Sequence, residues 1–201
     1  MAVMSTGKPS RRLNAEDWIT AAIAALGESG LTGVAVEPLA KRLGATKGSF
    51  YWHFKDRGAL VDAVLARWEQ LGTDDVIARL DELSDPVERL RLLFTEVIEY
   101  ATEGREELAL LAAIDQPVVA DAMQRVAARR IEYVAAQLQL LAVPPPQAST
   151  RAAVAVGIYH GINQLARVAP DTLPATGELV DDIVGRLLES AQSSPRRSET
   201  Q

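Results

Sequence analysis

Apolar residues recur along this chain at helical spacing almost throughout, and strict alternation never persists beyond four residues. Trp18, Ile19, Ala22, Ile23 and Leu26 fall on one face of a first helix. Asn14 is placed to cap it, Glu16 and Asp17 occupy its first turn, and Gly27 and Gly30 stop it. Val36 to Leu43 is a short second segment with Leu39, Ala40 and Leu43 apolar, closed by Gly44. Lys47 to Phe54 is a third, opened by Thr46. Asp56 caps the next, whose stripe is Leu60, Val61, Val64, Leu65 and Trp68. Asp85-Pro86 starts a longer helix with Val87, Leu90, Phe94, Val97, Ile98 and Ala101 on one face, broken at Gly104. Glu106 to Ile114 is short and apolar. Pro117 opens a long helix to about Ala142, carrying Met123, Val126, Tyr133, Val134, Leu138 and Leu141. Pro144, Pro145 and Pro146 predict a hard stop and a rigid spacer. Ala148 to Val168 is helical again, and Leu179–Ala191 closes the series with Leu179, Ile183, Leu187 and Leu188 apolar. The fold class predicted is all-α, of about nine helices, without an internal repeat. Residues 1–10 and 193–201 are read as flexible tails.

Composition narrows the possibilities. The chain has 201 residues, enough for one domain or two small ones with a core that needs no staples. It has no cysteine, which excludes disulfides, cysteine-ligated zinc or iron–sulfur sites and a thiol nucleophile. The apolar run Leu108–Ile114 falls far short of the roughly 20 residues that span a membrane. No charged-apolar-small signal pattern opens the chain, so the expected compartment is the cytoplasm. The net charge of −6 argues against nucleic acid until its distribution is considered. Residues 1–58 carry Lys8, Arg11, Arg12, Lys41, Arg42, Lys47, Lys55 and Arg57 against Glu16, Asp17, Glu28, Glu37 and Asp56. A slightly basic head therefore precedes an acidic body.

Two short helices joined by Gly44-Ala45-Thr46 have the length pattern of a helix-turn-helix. On the second, Phe50 and Phe54 are four apart and both face inward. Lys47, Gly48, Ser49, Tyr51, Trp52 and His53 are left outside. An exposed Tyr-Trp-His makes poor sense as bare surface and good sense against DNA. Gly48 lets the backbone approach closely, Lys47 reaches a base edge or phosphate, and Tyr51 and His53 can donate to phosphate oxygens. Lys55 and Arg57 sit at the start of the following helix. His53 has no second histidine within helical reach, so no metal site and no cofactor is expected.

The series Leu39-Ala40-Lys41-Arg42-Leu43-Gly44-Ala45-Thr46-Lys47-Gly48-Ser49-Phe50-Tyr51-Trp52-His53-Phe54-Lys55-Asp56-Arg57, with Leu31-Thr32 before it, closely resembles the DNA-binding head of the TetR family of bacterial transcriptional regulators. The resemblance covers about residues 11–71, which makes 72–192 the ligand-binding and dimerisation body. It implies a homodimer on a palindromic double-stranded operator, with the second helix of each head in a major groove and a small-molecule effector bound in the body. By position in that motif, Lys47, Gly48 and Tyr51 correspond to base-facing residues. Thr46, Trp52, His53 and Arg57 correspond to residues on the phosphate backbone. Two positions depart from the pattern. Ala35 stands where a Ser or Thr cap is usual, and Glu37 stands where an Arg or Lys often meets phosphate. Pro38 is harmless in the first turn.

In the body, Tyr100, Gln116, Met123, Tyr133, Tyr159, His160, Asn163 and Gln164 interrupt apolar helices, and about a third of them are expected to touch a cavity next to Trp68. Arg129-Arg130 reads as a solvated face. Gly157 and Gly161 permit close helix approach. With Val154, Ile158, Leu165, Ile183 and Leu187 they are assigned to the dimer interface, where two helices from each chain form a four-helix bundle. The function expected is a ligand-responsive DNA-binding repressor. Two alternatives remain: an all-α enzyme acting on a small molecule, and a DNA-binding regulator controlled by a protein partner. No nucleophile elbow, phosphate loop or paired-carboxylate motif supports the first of these.

Overall fold

A computed structural model describes residues 13–189, the side chains of 101–103 excepted. The tails expected at 1–10 and 193–201 lie outside the described residues, as do Arg11 and Arg12. In chain order the helices are α1 (Ala15–Ser29), α2 (Val36–Arg42), α3 (Lys47–Tyr51), α4 (Arg57–Glu69), α5 (Asp75–Leu80), α6 (Pro86–Glu103), α7 (Glu106–Leu111), α8 (Pro117–Leu140), α9 (Pro145–Val168) and α10 (Thr176–Leu188). Short 3-10 turns lie at Leu31–Gly33 and Pro170–Thr172, and a π-helical turn at Gln70–Asp74. The described residues contain no strand.

The element that periodicity missed is α5. Gly72, Thr73 and two aspartates look like a helix breaker, but the π turn carries the chain through them, and Ile77 and Leu80 are then buried. Six residues, less than two turns, are too few to register as a period. The prolines before α9 are not a spacer. Pro145 and Pro146 form its first turn, where no intrahelical N–H partner is lost.

Contacts divide the chain into two compact units. One holds the residues up to Trp68 together with Arg105–Ala122; the other holds Glu69–Gly104 and the residues from Met123 onward. The expected division after residue 71 gave α7 to the body, whereas α7 packs on α1 in the first unit.

The first unit is built on one core. Trp18, Leu26, Val34, Phe50, Leu60, Val64 and Leu110 are fully buried. Asn14 and Asp17 form a reciprocal capping box on α1, with N···O distances of 3.0 and 2.8 Å. Gly44 takes φ +62°, a left-handed conformation that closes the turn into α3 and that a side chain would resist. Arg42 donates two hydrogen bonds to the Glu28 carboxylate, at 2.8 and 2.6 Å, and ties α2 to α1. Those hydrogen bonds hold the Glu28 carboxyl below its ordinary range.

The second unit packs α6, α9 and α10 together with part of α8. Its core includes Leu90, Phe94, Leu138, Ala148, Ala152, Ala155 and Ile162. Small alanines along α9 let the neighbouring helices approach closely. Arg151 donates to the Leu187 carbonyl at 2.6 Å, satisfying an otherwise open group in the last turn of α10. Ile183 and Leu187, assigned from sequence to the dimer interface, belong to this core and are 5% exposed. In α10 the apolar face is used up within the protomer, leaving Gly177, Asp181, Gly185 and Arg186 outside.

A smaller cluster gathers Ile77, Leu80 and Tyr133. Tyr133 donates its hydroxyl to Asp81 at 3.3 Å. Burial, reinforced by the Asp81 carboxylate, pushes the phenol up to about 12. The folded pKa lies above the unfolded one, so this stabilisation is complete below pH about 10 and is lost as pH rises through about 12. Tyr133→Phe is therefore expected to weaken the fall in unfolding free energy over that window while leaving the slope near neutrality unchanged. Urea titrations at stepped pH check this, and an unchanged alkaline slope rejects it.

Candidate nucleic-acid interface

In the first unit α2 and α3 pack through Leu39, Ala40 and Phe50, and the turn between them is closed by Gly44. Phe50 meets Trp18 edge-on with ring centroids 5.4 Å apart and stacks on Phe54 at 5.5 Å. These contacts set the rotation of α3. Thr46 accepts the Ser49 N–H at 3.2 Å and caps the helix. Ala35 supplies no side-chain cap to α2.

The rotation puts Tyr51 at 60% and Trp52 at 83% exposure, although Phe50 between Ser49 and Tyr51 has none. Thr46, Lys47, Gly48, His53, Lys55 and Arg57 are also exposed, and Ser49 is half-buried. At Gly48 an added Cβ would meet only the Thr46 hydroxyl oxygen, at 3.7 Å. The fold itself therefore does not demand a glycine there.

Two cations on this face are already engaged. Lys47 forms an ion pair with Glu37, which projects from the first turn of α2. Arg57 donates from Nε to the Val34 carbonyl at 2.6 Å and from Nη2 to the Leu31 carbonyl at 2.7 Å. It fastens the start of α4 to the segment before α2, a role that its motif position did not suggest. The Glu37–Lys47 partnership joins residues ten apart on different helices, so no local spacing signals it.

The second unit holds a cavity of about 50 Å³. Its walls include Val76, Leu93, Phe94, Tyr133, Val134 and Tyr159, with Gly72 and Thr73 of the π turn. Of the residues that the sequence placed near a cavity, Tyr133 and Tyr159 line it. Trp68 is buried in the first unit, Tyr100, Gln116, His160 and Gln164 are exposed, Met123 and Asn163 are half-buried, and none of these lines it. The reason on α9 is register. Ala155 and Tyr159 are four apart and face inward, so His160 lies about 100° and Gln164 about 140° around the helix from Tyr159.

Arg130 is not on a solvated face. It donates to the Thr73 hydroxyl at 3.3 Å, and its guanidinium lies 5.5 Å from the centre of the Tyr159 ring. Arg129 is exposed and 3.8 Å from Asp74. Among the described residues no group of three His, Asp or Glu side chains is placed to hold a metal ion, and no helix is long and apolar enough to cross a membrane.

The all-helical arrangement, with its helix-turn-helix head, is a known one. Over 88% of its length the chain is similar to a transcriptional regulator from Rhodococcus sp. Rha1, covering 96% of that chain with a TM-score of 0.70 at 23% identity. It is likewise similar to NemR of E. coli in its reduced form, with a TM-score of 0.71 at 17% identity over 86% of this chain and 94% of the other. At such identities the likeness is one of fold. Residues 19–64 match the family described as bacterial regulatory proteins, tetR family. That match lies within the head of this chain. In sequence it is 43% identical over 53 residues to the class D tetracycline repressor of Escherichia coli and to the class H repressor of Photobacterium damsela subsp. piscicida. The match takes in 26% of this chain and spans about a quarter of the length of each curated relative.

Proposed function

We propose that this chain is a cytoplasmic transcriptional regulator, a homodimer that places α3 of each head in the major groove of a palindromic operator and represses until an effector binds. The observation that carries the reading is the exposed Tyr51-Trp52-His53 face on a helix whose Phe50 is pinned in the core. Lys47, Gly48 and Tyr51 face base edges in this reading. Thr46, Ser49, Trp52, His53 and Lys55 meet the phosphate backbone. Arg57 contributes mainly by holding α4 in place. The dimer is formed along the outer stripe of α9. Val154, Leu165 and Val168 are exposed there, and nothing lies within 4 Å of a Cβ built at Gly157 or Gly161. Ile158, half-buried, borders the stripe.

The effector is a small, mainly apolar molecule, taken up in the second unit. The cavity of about 50 Å³ is far smaller than the roughly 150 Å³ void that admits benzene. A ligand of useful size therefore has to move the π turn or the Arg130 side chain that is bonded to it. It relieves repression only to the extent that it prefers the DNA-incompetent state.

Titration of a random duplex library at several salt concentrations tests the reading. A palindromic site is expected, with half-sites about 34–36 Å apart. Log affinity should fall with log salt by nearly one unit per phosphate contact. Equal binding to every sequence would reject it.

A further inference from the structure

The Glu37–Lys47 ion pair sits on the face that the proposed function presents to DNA. Its carboxylate has no structural duty on that face. Both side chains are largely exposed, Glu37 at 72% and Lys47 at 59%, and an ion pair so exposed contributes little to folding. Against a phosphate backbone a carboxylate is repelled, so in a complex Glu37 has two outcomes. It weakens binding, or it points between the phosphates at a base edge.

The chemistry of the groove selects the base. A carboxylate is an acceptor only. The major groove offers donors at the cytosine N4 amino group and the adenine N6 amino group. Adenine sets its N7 acceptor beside N6, which repels a carboxylate, whereas cytosine presents no neighbouring acceptor of its own. Lys47, a donor only, matches the guanine O6 and N7 acceptors. The pair therefore carries complementary donors and acceptors from two different helices, α2 and α3, to adjacent points on the DNA.

We propose that Glu37 is a specificity-determining residue: its carboxylate accepts a hydrogen bond from a cytosine N4 amino group in each half-site, and it holds Lys47 at the base edges and away from the phosphates. The inference rests on the reading of the head as a DNA-binding unit. It has a second consequence. With Lys47 neutralised by Glu37 and Arg42 engaged by Glu28, two cations of the described head are masked. Binding to arbitrary DNA is correspondingly weak, and specificity gains what bulk affinity gives up.

The test compares the full-length parent with Glu37→Gln, Glu37→Asp and Lys47→Ala in library selection, salt titration and thermal unfolding. In Glu37→Gln, discrimination in favour of one cytosine per half-site is expected to fall about 5- to 150-fold, the range of one good base contact, with other positions unchanged. Affinity for random duplex should rise, and the salt slope should steepen by about one unit per head as Lys47 is freed to meet a phosphate. Glu37→Asp, which keeps the charge but shortens the reach, should lose the cytosine preference without the steeper slope. Lys47→Ala should relax a neighbouring base. Base preferences identical to the parent in both Glu37 variants, with or without a change in melting temperature, would make the pair a surface contact and overturn the inference. A parent that selects no sequence would overturn the proposed function as well, so the two failures are distinct.

Discussion

Replacing Phe50 by alanine is expected to lower the unfolding free energy by about 3–5 kcal/mol. The ring is fully buried between Trp18 and Phe54. It is also what fixes the rotation of a helix only five residues long. A helix of that length has no stability of its own in water, because nucleation costs more than its few hydrogen bonds return. Removing its anchor therefore disorders the recognition face and also leaves a cavity. Trp52→Ala is the matched control. That ring is 83% exposed, so its loss should change stability by no more than about 0.5 kcal/mol while still weakening DNA binding. Circular-dichroism unfolding of both variants, beside a duplex titration, separates the effects. Equal destabilisation by the two substitutions would mean that α3 is rotated differently.

The second large effect concerns the dimer. Val154→Glu combined with Leu165→Glu places two charges on the exposed stripe of α9, where the parent has apolar side chains at 58% and 46% exposure. Neither side chain is in the core of the second unit, so the fold should survive. Two linked heads gain from effective concentration about 10²–10⁴-fold over one head on a half-site. The double variant is expected to be monomeric by light scattering and to lose a factor of that order in affinity for the full palindrome, while binding a single half-site as the parent head does. A double variant that remains dimeric would move the interface off this stripe. The test avoids Ile183 and Leu187, whose burial in the protomer core would confound association with unfolding.

Much of the fold was legible because it depends on local rules. The capping box at Asn14, the Asp85 cap, the Gly44 turn and the apolar stripes of α1, α4, α6 and α8 are set by residues within a turn or two of one another. The inward Phe50 and Phe54 followed from a four-residue spacing, and with them the outward Tyr51, Trp52 and His53. The candidate DNA face could thus be read from one short stretch of sequence.

What the sequence could not convey was which of several apolar faces finds a partner inside the protomer, and where long side chains end. The apolar residues of α10 carry the same periodic signal whether they meet a second copy or their own α6; packing put Ile183 and Leu187 in the core. Arg130 looks like any surface arginine until α8 is set against the π turn, and its reach to Thr73 spans 57 positions of sequence. Arg57 and Glu37 were judged by the motif positions they hold, but their bonds run to Leu31, Val34 and Lys47, on other elements. Periodicity and capping are decided over 1.5 Å steps along one helix. The partners of a flexible charged side chain, and the choice between core and interface, are decided only when separate helices are brought together in space.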